Sequence, residues 1–162
     1  MGQYWLVVNL DKKEYVSPHK LGCGLKLWEQ LASHPGTGAA LIILCAAMPE
    51  PRGGGDFDMD RNWHGPERTE DYPAEPGPMP EEYPEIAKLT IGRWAGDRIA
   101  LVGDYADDWD LPHEFKASKI YSQCNSGEYT DVSDYVARVI EHELNGKFEG
   151  AGWRKFVYNN EA

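Results

Sequence analysis

Gly92–Asp110 reads GRWAGDRIALVGDYADDWD, and the class of the fold turns on it. Within it Ile99-Ala100-Leu101-Val102 is a short continuous apolar run, bounded by Gly96-Asp97 before and Gly103-Asp104 after. A run of that length between turn residues predicts a strand buried on both faces. Leu89-Thr90-Ile91 upstream predicts its hairpin partner, because the intervening Gly-Asp supplies the positive φ of a tight turn. Directly after the strand come Asp104, Asp107, Asp108 and Asp110, interleaved with Tyr105 and Trp109. The most apolar strand thus hands over to the most anionic loop, with aromatic surface beside it.

Working outward, Tyr4-Trp5-Leu6-Val7-Val8 is β-branched and aromatic and predicts an opening strand. It turns at Asn9–Lys13 and returns through Glu14-Tyr15-Val16, which Pro18 then ends. Leu21, Leu25, Trp28 and Leu31 recur at helical spacing and predict a short amphipathic helix stopped by Ser33-His34-Pro35-Gly36. Ala39–Met48 is apolar on every side. Its alanines favour a buried helix, although Leu41–Leu44 alone would suit a central strand. Pro49–Pro84 holds most of the prolines, a glycine triplet and many acids, and predicts a long insertion loop tacked down by Phe57, Trp63, Tyr72, Met79 and Tyr83. Beyond the central stretch, Leu111–Phe115 predicts an irregular or single-turn connection and Lys119-Ile120-Tyr121 a short strand. Val132, Tyr135, Val136, Val139, Ile140 and Leu144 mark the clearest helix, capped by Thr130 or Asp131 and closed by Gly146. Trp153–Tyr158 predicts a last strand.

The totals fit one α+β domain: a mixed or antiparallel sheet, two or three helices and the long acidic insertion. A chain of 162 residues buries a core without metal or disulfide staples. The net charge of −11 repels nucleic acid and anionic lipid and favours a cationic partner. Cys23, Cys45 and Cys124 lack close pairing, a reduced-compartment pattern, and no basic region precedes a long apolar one. Thr37–Met48 is too short to span a bilayer, so a cytoplasmic protein without membrane attachment is expected.

Two acidic groups are candidates for chemistry. Asp56, Asp58 and Asp60 alternate, with Glu67 eleven residues after the first, as in a calcium-binding EF-hand loop. Arg61 stands where that loop needs glycine, Pro66 precedes the glutamate and no helix leads in, so a solvated acidic loop is the favoured reading. Asp104 and Asp108 at a strand end, assisted by His113, could serve acid–base or divalent-metal hydrolysis or group transfer. Aspartates are equally turn formers and caps. His142-Glu143 lacks the second histidine of a zinc-protease helix, His19 and Cys23 form an incomplete metal pair, and Cys124 selects no histidine partner. Gly22-Cys23-Gly24 and Gly36-Thr37-Gly38 lack the lysine and spacing of a phosphate loop. Trp63, Trp94, Tyr105 and Trp109, with Asp107 among them, instead resemble a protein-binding hot spot with an acidic rim. Packing over the sheet is the competing role for these tryptophans.

MGQYWLVVNLDKKEYVSPHKLGCGLKLWEQ and GRWAGDRIALVGDY resemble a family of small, functionally uncharacterised microbial proteins. The resemblance covers most of the chain outside Pro49–Pro84. It implies a shared fold and a shared surface near His19, Lys20, Trp94, Asp97 and Asp104, and it brings no activity. The expectation is a non-enzymatic interaction module whose acidic, aromatic loops engage a basic protein surface, as inhibitor or immunity proteins do when they mimic nucleic acid. No cofactor beyond a divalent cation is called for.

Overall fold

The computed structural model describes residues 2–48, 57 and 82–159. The strand buried on both faces is the opening one, β1 (Trp5–Asn9), where Leu6, Val7 and Val8 are all inside. It pairs antiparallel with β2 (Glu14–Val16) on one side and with β3 (Ile99–Gly103) on the other. A two-residue strand, β4 (Thr130–Asp131), joins β2 in parallel, giving a mixed sheet of order β3-β1-β2-β4. The expected two-sided burial of Ile99–Val102 is therefore corrected: β3 is an edge strand, and its Leu101 is exposed.

Leu89-Thr90-Ile91 is not a strand either. Tyr83–Thr90 forms a helix, α3, with Pro84 in its first turn, where a missing N–H costs nothing. Tyr83, Ile86, Ala87 and Thr90 recur at helical spacing and are buried, so local periodicity prevails over the Gly-Asp bend signal. The insertion read from Pro49 to Pro84 consequently overlaps this helix at its end, and its remaining residues except Phe57 and Glu82 lie outside the described ones. Phe57 rests against the larger core.

Among the described residues there are five α-helices, more than the two or three expected. The others are α1 (Leu27–Ala32), α2 (Gly36–Cys45), α4 (Ala117–Asn125) and α5 (Ser133–Glu143). Helix α2 bears out the helical reading of the alanine-rich run, with Ala40, Ile43 and Leu44 inward and Ile42 exposed. Helix α4 replaces the expected strand at Lys119-Ile120-Tyr121, because Ala117, Ile120 and Cys124 fall on one helical face and are buried. Helix α1 inverts its expected polarity. Trp28 and Leu31 face solvent, whereas Gln30 is buried and its Nε2 donates to the carbonyls of Trp5 and Leu25, at 3.0 and 3.1 Å. Helix α5 keeps its apolar stripe except for Tyr135, which is exposed. Asp131 accepts the Ser133 N–H at its start, and Asn145, in the left-handed region at φ 52°, follows its end in place of the expected Gly146. Gly146–Glu149 opens a strand, β5, paired with β6 (Lys155–Tyr158) in a small separate sheet.

Two cores follow from the pleat. Val7 and Val16 face α2, α3 and α5, while Leu6, Val8 and Val102 face Ile120 and Cys124 of α4. Each fully buried valine contributes about 1.5–3 kcal/mol from apolar area removed from water.

Candidate protein-interaction surface

The two stretches Asn9–Glu14 and Arg93–Arg98 meet as a polar seam that ties the loop before β3 to the β1–β2 hairpin. Asn9 Nδ2 donates to Asp97 at 2.8 Å, Lys12 pairs with the same carboxylate, and Arg98 donates to Asp11 at 2.8 and 3.0 Å. At its inner end Glu14, nearly fully buried, accepts from Arg93 Nε at 2.9 Å, Arg93 Nη2 at 2.6 Å and Trp94 Nε1 at 3.0 Å. Burial pushes the Glu14 carboxyl up, but these donors and the guanidinium charge outweigh it and hold it below its ordinary value. Trp94, expected among the exposed binding aromatics, is completely buried here. An indole with a buried acceptor within reach packs inward, and this correction removes it from any docking surface.

Strand β3 then delivers Asp104. Its N–H donates to the Tyr4 carbonyl at 3.0 Å and its Oδ1 accepts the Tyr4 N–H at 2.8 Å, which extends the β1–β3 ladder by one pair. A 3₁₀ turn over Asp108–Asp110 follows, closed by the Asp107 N–H on Asp110 Oδ2 at 2.9 Å. Asp108 Oδ1 accepts both the N–H and the hydroxyl of Ser118, at 3.0 and 2.8 Å, in the first turn of α4. Those bonds, with Lys116 and Lys119 nearby, hold the Asp108 carboxyl below its ordinary value. The carboxylates thus stiffen the loop by capping its own backbone, and all four aspartates still face solvent.

The aromatics expected here divide cleanly. Trp109 is 85% exposed and Tyr105 59%, both within the aspartate run. His113, on the next 3₁₀ turn, sets its ring edge-on to Trp109 with centroids 6.3 Å apart. Asp104, Tyr105, Asp107, Asp108, Trp109 and His113 are therefore brought together on one ordered segment. Trp63 and the metal candidates Asp56, Asp58, Asp60 and Glu67 lie outside the described residues.

A cavity of about 320 Å³ lies beside this loop, lined by Gln3, Trp5, Leu101, Val102 and Leu111, with Asp110 as its acid. Neither Asp104 nor Asp108 lines it, so the carboxylate pair of the hydrolase expectation does not share this pocket. Among the described residues no three His, Cys, Asp or Glu side chains gather as a metal site requires. Sequence reasoning missed a second cavity of about 360 Å³ at the start of α3, lined by Tyr83, Arg138 and His142 among others. There the Tyr83 ring packs against His142 at a tilt of 36° with centroids 3.8 Å apart, and its hydroxyl donates to Glu143. The helical spacing that brings Tyr83 to α5 was legible only once Tyr83–Thr90 was seen as a helix. Among the described residues no helix is long and apolar enough to cross a membrane.

Comparison with protein-family models, with curated proteins and with solved structures gives no match.

Proposed function

We propose that the protein is a non-enzymatic interaction module that uses the Asp104–Glu114 segment to engage a basic protein surface, as an inhibitor or immunity protein does. The observation that carries this reading is Trp109, almost wholly exposed on a turn that its neighbours' hydrogen bonds hold in shape. An exposed tryptophan on a preorganised segment is the residue type and setting of a binding hot spot, because little ordering entropy remains to be lost. Asp104–Glu114 carries five carboxylates and no lysine or arginine, which gives the rim one sign. Residues 49–81 carry the same sign, with nine acids against three arginines, and the net charge of −11 over the whole chain draws in cations.

A labelled lysine decapeptide tests the reading by fluorescence anisotropy. Affinity falls as salt rises from about 0.05 to about 0.3 M, since screening shortens the range of exposed charge. The double variant Asp107→Asn/Asp110→Asn and the single variant Trp109→Ala each weaken binding by about tenfold or more, a hot-spot-sized loss. Glu128→Gln/Glu149→Gln changes charge equally at exposed positions elsewhere and leaves affinity near that of the parent protein. Equal affinity for all four proteins, or binding indifferent to salt, refutes the proposal.

A further inference from the structure

We infer that the outer edge of β3 accepts an extended strand from the basic partner, so that recognition proceeds by sheet augmentation beside the aspartate loop. The inference rests on the reading just given and specifies the conformation of the partner. Its basis is the ladder. The Asp104 N–H reaches the Tyr4 carbonyl and the Leu10 N–H reaches the Arg98 carbonyl. Hydrogen-bonded pairs alternate in an antiparallel ladder, so Leu6–Val102 and Val8–Ala100 are the bonded pairs between them. Ile99, Leu101 and Gly103 therefore turn their N–H and C=O groups away from β1. The Gly103 carbonyl takes the Ala106 N–H at 3.2 Å. Among the described residues nothing bonds to the outward groups of Ile99 or Leu101, which leaves both an N–H and a C=O of Leu101 open to exchange with an added strand.

Proteins usually blunt such an edge with proline, an inward charge, a bulge or a very short strand. The opposite edge follows that rule, since β4 is two residues long. Ile99-Ala100-Leu101-Val102-Gly103 has five residues and neither a proline nor a charge. Three residues of this strand, Leu101, Val102 and Gly103, line the 320 Å³ cavity, with Trp5 and Leu101 on one face of the sheet and Val102 on the other. A strand laid along Leu101 would drop an apolar side chain into that cavity.

The occupant follows from charge. Asp104, Asp107 and Asp110 stand exposed at the C-terminal end of β3, and the cavity includes Asp110. Of the cations in the vicinity, Arg98 is committed to Asp11 and Glu114, and Lys116 and Lys119 lie toward Asp108. An added strand alternating lysine or arginine with valine-like residues places its cations on the aspartates and its apolar side chains in the cavity, while its main-chain bonds to the edge supply affinity. A second copy of the chain brings net charge −11 to the same place and is repelled.

The test uses a labelled eight-residue peptide of alternating lysine and valine, and the same peptide N-methylated at alternate residues. Methylation preserves charge and side chains while removing the donors on one edge. The parent peptide binds, the methylated one at least about tenfold more weakly, the loss expected when more than one neutral backbone hydrogen bond is removed. Amide exchange at Leu101 slows on binding, because its outward N–H becomes protected. Leu101→Pro removes that donor without breaking a bond to β1, together with the side chain that lines the cavity, and Leu101→Lys places a charge of the peptide's own sign on the edge. Either variant, if its melting temperature is retained, loses the peptide. Where neither variant folds, the methylated peptide and the Leu101 exchange rate decide. Equal binding of both peptides, with unchanged exchange at Leu101, overturns the strand while leaving the charge-based reading intact. Failure of both this peptide and the lysine decapeptide overturns both. A dimer by light scattering that the peptide dissociates overturns the occupant assigned here.

Discussion

Replacing Glu14 with alanine removes an acceptor shared by Arg93 and the Trp94 indole at the inner end of the polar seam. Charge-assisted bonds contribute about 1.5–3 kcal/mol each, and a buried N–H left without its acceptor costs about 1–3 kcal/mol. Arg93 keeps a solvent-facing side and rehydrates, which discounts its share. Trp94 is fully buried and has no such recourse. The expected loss is about 3 kcal/mol, at the lower end of what breaking a buried pair costs. For a chain of this length that lowers the melting temperature by about 6–12 °C. Urea denaturation measures it, with an unchanged m-value showing that the unfolded reference is the same. Glu14→Gln retains an acceptor for the indole and gives up the charge, so it loses about half as much. A loss below about 1 kcal/mol for alanine, or a glutamine variant weaker than the alanine one, would refute the assignment of the seam as the main clamp between hairpin and loop.

Other positions separate the observed fold from its sequence reading. In α1, Gln30→Ala costs about 1–2 kcal/mol because it leaves the Trp5 carbonyl without its donor, the Leu25 carbonyl still taking the Trp5 N–H, while Leu31→Ala at an exposed site stays within about 0.5 kcal/mol; chemical denaturation of the pair reads the inversion directly. Gly92→Ala forces a side chain onto φ +73° with its Cβ 2.6 Å from the Ala46 carbonyl oxygen, so it destabilises by at least about 2 kcal/mol in the same assay. Acid weakens the fold in a defined window. Glu14, Asp11 and Asp97 all titrate below their ordinary values when folded: burial is outweighed by the Arg93 and Trp94 bonds at Glu14, Arg98 bonds lower Asp11, and Lys12 and Asn9 lower Asp97. Their stabilisation is complete at neutral pH and is lost as pH falls below the ordinary 4.5 of glutamate and 3.8 of aspartate. Melting temperature is expected to hold from neutrality to those values and then fall, less steeply for Glu14→Gln; an unchanged acid limb in that variant would remove Glu14 from the account.

The chain's own pattern determined a good deal. Opening strand, return strand, a helix in the Ala39–Met48 run (found at Gly36–Cys45, with Ile42 and Cys45 exposed), the long apolar stripe of α5 and the last strand are all local statements of periodicity and turn chemistry, and those survive into the structure. The aspartates and Trp109 form one exposed segment because they are contiguous, and contiguity is visible in a sequence. Tertiary structure decided what contiguity cannot. Whether Ile99–Val102 lies at the centre or the edge depends on which strand sits beside it, and β1 took the centre. Whether Trp94 or Trp109 is buried depends on an acceptor eighty or more residues away in the chain: Glu14 lies within reach of one indole and not the other. The inversion of α1 has the same cause, since Gln30 is drawn inward by carbonyls of Trp5 and Leu25 that exist as partners only when β1 is in place. Short-range order follows from side-chain spacing, but the face a residue turns to water is set by the groups the fold brings to meet it.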